Sequence, residues 1–122
     1  MKTILIVDDD EIMRTMLQDM LAIEGYAVDC APDGAVVQHM LKNQSYDLIV
    51  TDIVMPEKEG IETIIHIRKA HPDLPVIAIS GGGRMAPGDY LEVAQGLGVN
   101  FTFAKPLDRK EFVAAVKSCL GE

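Results

Sequence analysis

The sequence predicts an α/β protein built on one doubly wound parallel sheet. Three observations carry that expectation. Five short runs have strand length, and the first, third and fourth are almost wholly apolar, as strands covered on both faces are. Between them, apolar residues recur at spacings of three and four, the mark of helices that bury one face. The two patterns alternate strand–helix five times, and parallel strands require such helical crossovers. Right-handed crossovers then leave only a few doubly wound arrangements.

Each element has its own justification. Residues 3–7, Thr-Ile-Leu-Ile-Val, form the first strand and run into Asp8, Asp9 and Asp10. Ile12, Met13, Met16, Leu17, Met20 and Leu21 make the stripe of a first helix, which Gly25 stops. Residues 26–31 read as the second strand. Pro32-Asp33-Gly34 is a turn or helix start, and Val36, Val37, Met40 and Leu41 are the second stripe. Residues 47–51 are the third strand, with Asp52 at its carboxyl end. The chain breaks at Met55-Pro56, because a residue before proline is pushed away from helix. A third helix runs from about Glu59, with Ile61, Ile64, Ile65 and Ile67 facing the core, and ends near His71-Pro72. Residues 74–79 are the fourth strand, followed by Ser80-Gly81-Gly82-Gly83. A fourth helix starts near Pro87, a favourable first-turn residue, and carries Tyr90, Leu91, Val93, Ala94 and Leu97 before Gly98. Residues 99–104 are the fifth strand, closed by Lys105-Pro106. A fifth helix from about Asp108 places Phe112, Val116, Cys119 and Leu120 on one face. No internal linker, repeat or low-complexity stretch interrupts the 122 residues, so one domain over 1–122 is expected.

Bulk properties exclude several classes. Hydrophobic residues make up 48%, enough for a packed core and too many for a disordered chain. Nineteen acids against eleven bases leave a net charge of −8, and no basic patch stands out, so direct nucleic-acid binding is not expected. The acidic excess suits a protein that gathers a cation. Cys30 and Cys119 lie far apart without zinc spacing and read as free thiols. The apolar start is too short for a signal-peptide core, and no run approaches membrane-spanning length. The expected location is the reducing cytoplasm, with no membrane partner.

Polar groups mark the carboxyl ends of the strands: Asp8 and Asp9 on the first, Asp52 on the third, Ser80 on the fourth and Lys105 on the fifth. In a parallel sheet these all lie on one edge, where open α/β sheets bind ligands. If the first and third strands are neighbours, three carboxylates converge and repel. A hard divalent cation such as magnesium relieves that repulsion, and so does an ammonium, for which Lys105 is the candidate. A carboxylate beside such a cation can attack phosphorus, since aspartyl phosphates are stable enough to serve as covalent forms. Ser80 can then donate to the new phosphoryl group, and Lys105 can pair with it. The bland alternatives are that Asp9 or Asp10 only caps the first helix, Ser80 only starts a loop and Lys105 is a solvated charge. Joint placement on one edge favours a site.

The segments Ile4-Leu5-Ile6-Val7-Asp8-Asp9-Asp10-Glu11, Thr51-Asp52-Ile53-Val54-Met55-Pro56 with Gly60, Ser80-Gly81 and Lys105-Pro106 resemble the response-regulator receiver domains of two-component signalling. The resemblance covers essentially the whole chain, in order. It implies a flavodoxin-like sheet of order 2-1-3-4-5 with five helices. It implies that Asp52 is the phosphoacceptor for a phosphoryl group from a sensor histidine kinase or phosphotransfer protein. Asp8, Asp9 and Asp52 with the backbone carbonyl of Val54 would bind Mg2+, or Mn2+ in its place. Ser80 is the switch hydroxyl, Lys105 the phosphate-pairing lysine, and the Lys105–Pro106 bond is expected to be cis. Such a module is a regulatory phosphoprotein, not a metabolic enzyme. It meets a downstream protein through the face of the fourth helix, fifth strand and fifth helix. The chain ends without an output segment, so a stand-alone receiver is expected.

Two departures stand out. Receivers commonly carry Tyr or Phe three residues before the lysine, where this chain has Thr102 between Phe101 and Phe103. The readout of Ser80 is therefore expected to differ, and the glycine-rich stretch from Gly81 and Gly82 to Pro87 is expected to order on phosphorylation. Val54 and Gly82 have no side chain that orients a water, so slow loss of the phosphoryl group is expected relative to Val54→Asn. The triple glycine lacks the Gly-Lys-Ser/Thr end of a nucleotide-binding P-loop. Two other classes remain: a magnesium-dependent phosphohydrolase of haloacid-dehalogenase type, suggested by Asp8-Asp9-Asp10, and a receiver-like docking module that takes no phosphate. His39, His66 and His71 lie on helices or helix ends and are assigned no role.

Overall fold

The computed structural model describes residues 1–53, 59–80 and 96–122. In chain order these form β1 (Thr3–Val7), α1 (Glu11–Ile23), β2 (Ala27–Ala31), α2 (Gly34–Asn43), β3 (Leu48–Asp52), α3 (Glu59–Ala70), β4 (Val76–Ser80), β5 (Phe101–Ala104) and α4 (Arg109–Cys119). The strands make one five-stranded sheet of order β2-β1-β3-β4-β5, and every pairing is parallel. This is the expected flavodoxin-like order.

Four helices are described against five expected. The fourth expected helix lies outside the described residues except for its end. There residue 96 is helical, and Gly98 takes φ +83°, a left-handed geometry that glycine adopts without a Cβ penalty. β5 begins two residues later than residues 99–104 suggested, and β4 runs Val76–Ser80 in place of 74–79. The shift puts Ser80 inside the ladder, paired with Ala104.

Strand residues alternate between two cores because side chains on a strand alternate faces. Ile4, Ile6, Leu48, Val50, Ile77 and Ile79 point to one side, under Met13, Leu17 and Leu21 of α1 and Phe112 and Val116 of α4. Leu5, Val7, Ile49, Val76 and Ala78 point to the other, with Val37 of α2 and Ile64 and Ile67 of α3. Burial on both faces is why these strands are continuous apolar runs with no polar alternation. Three of the described helices start where a side chain replaces a missing backbone partner. Asp10, Asp33 and Asp108 are N-caps that accept from Ile12, Val36 and Glu111 N–H respectively. Asp10, not Asp9, caps α1, which leaves Asp9 for other work. Among the described residues, no helix is long and apolar enough to cross a membrane. Cys30 and Cys119 are free, half-buried thiols.

Candidate functional site

The register of the sheet brings the polar strand ends together. Val7 of β1 pairs with Thr51 of β3, so the next residues, Asp8 and Asp52, stand side by side at the carboxyl edge. Asp52 pairs with Ile79 across β3 and β4, and Ser80 with Ala104 across β4 and β5. Ser80 therefore lies one step past Asp52 on the same edge, and Lys105 one step further. Lys105 is tied there by its own N–H, which donates to the Ser80 carbonyl at 2.8 Å. The Lys105–Pro106 peptide bond is cis.

Carboxylate oxygens of Asp8, Asp9 and Asp52 all lie within 4.8 Å of one another. Asp8 is 1% and Asp52 4% exposed, and Asp9 faces solvent. The Lys105 ammonium bridges the two buried acids, 3.1 Å from Asp52 Oδ2 and 3.4 Å from Asp8 Oδ2. Burial pushes the Asp8 carboxyl above its ordinary range. The Asp10 N–H and Lys105 pull against that rise, and the Asp52 charge adds to it. For Lys105, burial works against the ammonium, but Asp52 and Asp8 outweigh it and hold the proton more tightly than usual.

The donor set fits a hard divalent cation. Among the described residues, three carboxylates offer hard oxygen donors in one bowl beside the Lys105 ammonium, the donor type that a hard divalent cation takes. A second observation is independent of the acids. The Ser80 hydroxyl is fully buried and has no hydrogen-bond partner among the described residues. A buried hydroxyl without a partner loses free energy that a polar ligand can restore.

Of the residues singled out in the sequence, Asp8, Asp9, Asp52, Ser80 and Lys105 all meet at this edge. Thr102 sits half-buried in β5, paired with Ala78. Val54, Gly81, Gly82 and the stretch to Pro87 lie outside the described residues. Phe103 leans edge-on against Phe112, ring centroids 5.7 Å apart, and Phe101 is exposed at the sheet margin. The sequence reading missed Arg14, whose guanidinium Nη1 donates to the Asp8 main-chain carbonyl at 2.7 Å. Its signal was available: Arg14 stands four residues after the cap Asp10, one helical turn above the acidic turn.

Comparison with known proteins agrees with this geometry. A family model described as the response regulator receiver domain matches residues 4–117. The transcriptional regulatory protein CpxR of Escherichia coli (strain K12) is 35% identical over 98% of this chain and 50% of its own length. NtrC of Rhizobium meliloti (strain 1021), a DNA-binding transcriptional regulator by name, is 33% identical over 98% of this chain and 24% of its own. The chain thus spans about half the length of the first of these relatives and about a quarter of the second. The solved structure of TrrA from Thermotoga maritima, in complex with Mg(2+)-BeF, is 31% identical with a TM-score of 0.86, over 98% of this chain and 100% of that one. NtrC is by name a DNA-binding regulator, so the expectation of no nucleic-acid partner is in part at odds with these relatives.

Proposed function

This chain belongs to the response regulator receiver domain family, and on that premise we propose that Asp52 accepts a phosphoryl group from a histidine of a sensor kinase or phosphotransfer protein. The observation that carries the reading is the Lys105 ammonium set between Asp52 and Asp8, with Asp9 beside them. An oxygen of Asp52 attacks phosphorus in line. The bond from phosphorus to the donor nitrogen breaks, and the imidazole leaves with the electron pair. Lys105 then transfers its pairing from the Asp52 carboxylate to a phosphoryl oxygen, and the buried Ser80 hydroxyl, without a partner among the described residues, gains an acceptor. Asp8 and Asp9 stay unphosphorylated.

Asp8, Asp9 and Asp52 would hold Mg2+, with Mn2+ a possible substitute, and the Val54 carbonyl would complete the protein donors. When bound, the ion neutralises charge that builds on the phosphoryl oxygens. The similar structure of TrrA, solved in complex with Mg(2+)-BeF, supports this reading.

Residues 1–122 act as one receiver and turn over no other substrate. The output is protein contact through β5, α4 and the segment before β5, a margin where Phe101 is exposed. The site of action is the cytoplasm, where Cys30 and Cys119 stay reduced. The phosphohydrolase alternative gives way to the receiver family, which matches residues 4–117. The docking-module alternative predicts no phosphorylation.

Incubation with acetyl phosphate and MgCl2, followed by intact mass measurement, tests the proposal. The expected result is a gain of about 80 Da, the mass of one phosphoryl group on a carboxylate. The gain disappears with EDTA and in Asp52→Asn. No gain in the wild-type chain, or an equal gain in Asp52→Asn, overturns the assignment of Asp52.

A further inference from the structure

Hydrogen bonds from several elements hold the Asp8–Asp10 turn. The Asp8 N–H donates to the Ala31 carbonyl of β2 at 3.1 Å. Asp8 Oδ1 accepts from the Asp10 N–H at 2.9 Å. The Asp10 side chain accepts from Ile12 N–H and so fixes where α1 begins. A side chain of α1 adds one more: the Arg14 guanidinium donates to the Asp8 carbonyl at 2.7 Å. That carbonyl follows β1 on a residue that is almost completely buried. A buried carbonyl needs a donor, and a charged guanidinium supplies a short, strong bond.

We propose that Arg14 is a positioning residue for the cation site: by clamping the Asp8 carbonyl it fixes the turn on which Asp8 and Asp9 present their carboxylates. The inference rests on reading Asp8, Asp9 and Asp52 as a magnesium site. Two physical effects of Arg14 oppose each other. As a positive charge near the acidic bowl it repels a second cation, so its removal would tighten binding. As a clamp it orders the ligands before the ion arrives, so its removal would make binding carry that ordering cost. The short bond into the turn favours the clamp, because loss of the guanidinium takes from a buried carbonyl its charged donor. The sign of the affinity change therefore distinguishes positioning from simple charge.

The test is calorimetric titration of MgCl2 into the 122-residue wild-type chain, Arg14→Met and Arg14→Gln, each checked for folding by circular dichroism. Arg14→Met is expected to weaken Mg2+ binding by about tenfold, the low end for loss of an outer partner at a metal site. Arg14→Gln retains an amide donor without the charge, so it is expected to bind between the two, and it carries the test if the Met variant fails to fold. In phosphorylation by acetyl phosphate, the half-saturating MgCl2 concentration rises by the same factor, while the rate at saturating MgCl2 matches the wild type. Unchanged or tighter binding in both variants overturns the clamp. A rate deficit that persists at saturation also overturns it, because the residue would then act on the chemistry itself. Failure of the wild-type chain to bind MgCl2 overturns the magnesium reading, and the inference with it.

Discussion

Lys105 Nζ stands 3.1 Å from Asp52 Oδ2, so the proposed phosphoacceptor already holds a cationic partner before any donor arrives. The same ammonium reaches Asp8 at 3.4 Å. One positive charge thus serves two buried carboxylates, and the stability of the resting protein and the reactivity of Asp52 both depend on it.

Replacing Lys105 removes that shared counter-charge. Lys105→Met is expected to destabilise the Mg2+-free protein by up to about 3 kcal/mol, the low end for breaking a buried ion pair, because the lysine is partly exposed. Added MgCl2 recovers part of that loss, since a second cation offsets the same acids. Phosphoryl incorporation from acetyl phosphate is expected to fall about a hundredfold, as for loss of one preorganised charge-stabilising donor. Thermal unfolding with and without MgCl2, and intact mass against time, measure both effects. A fully stable, fully reactive variant would contradict the arrangement.

Asp8 gives a pH dependence of known sign. Its folded-state pKa lies above the unfolded value of about 3.9. Stability linked to this carboxyl is therefore fully present below about 3.9 and declines as pH rises through the folded value. At pH 7 without Mg2+, Asp8→Asn removes a buried charge while keeping an acceptor for the Asp10 N–H. The variant is expected to melt a few degrees higher than wild type. That advantage shrinks toward pH 4 and in MgCl2. Melting curves across pH 4–8 in EDTA decide it; a variant less stable at pH 7 than wild type goes against the electrostatic account.

Ser80 has a buried hydroxyl with no partner among the described residues. Ser80→Ala is expected to leave the resting protein as stable as wild type or stabilise it by up to about 1 kcal/mol, because it removes an unsatisfied polar group. Beryllofluoride with MgCl2 is expected to stabilise the wild type more than the variant, since only the serine can donate to the bound group. A loss of resting stability above about 1 kcal/mol would show that the hydroxyl already has a partner.

Two tyrosines give an alkaline signature. Burial, together with a hydrogen bond to Glu122, pushes the Tyr26 phenol up to about 12. Burial and a 2.8 Å bond to Asp29 push Tyr46 up as well. A raised folded-state pKa means the linked stability is complete below the ordinary value near 10 and is lost as pH rises through the folded one. Stability is expected to fall between about pH 10 and 12, with a shallower fall in Tyr26→Phe. Denaturant titrations at pH 9, 10 and 11 measure the slope, and equal slopes in both proteins would remove Tyr26 from the explanation.

Much of this protein can be read from the sequence, because its regularities are local. Val7, Asp8 and Asp9 follow one another in the chain, and a strand that turns polar at its end needs no tertiary information to be recognised. The apolar runs of β1, β3 and β4 announce strands buried on both faces, and Asp33 and Asp108 announce helix starts. What the sequence could not decide was distance between segments. Only the packed sheet sets Asp8 beside Asp52, through a register fixed by which faces bury Ile6 and Val50 and which bury Val7 and Thr51. Only the fold carries Lys105 across to both carboxylates, turns Arg14 back onto the Asp8 carbonyl and leaves the Ser80 hydroxyl without a partner among the described residues. Periodicity names the elements; complementary packing of their faces decides which charges meet.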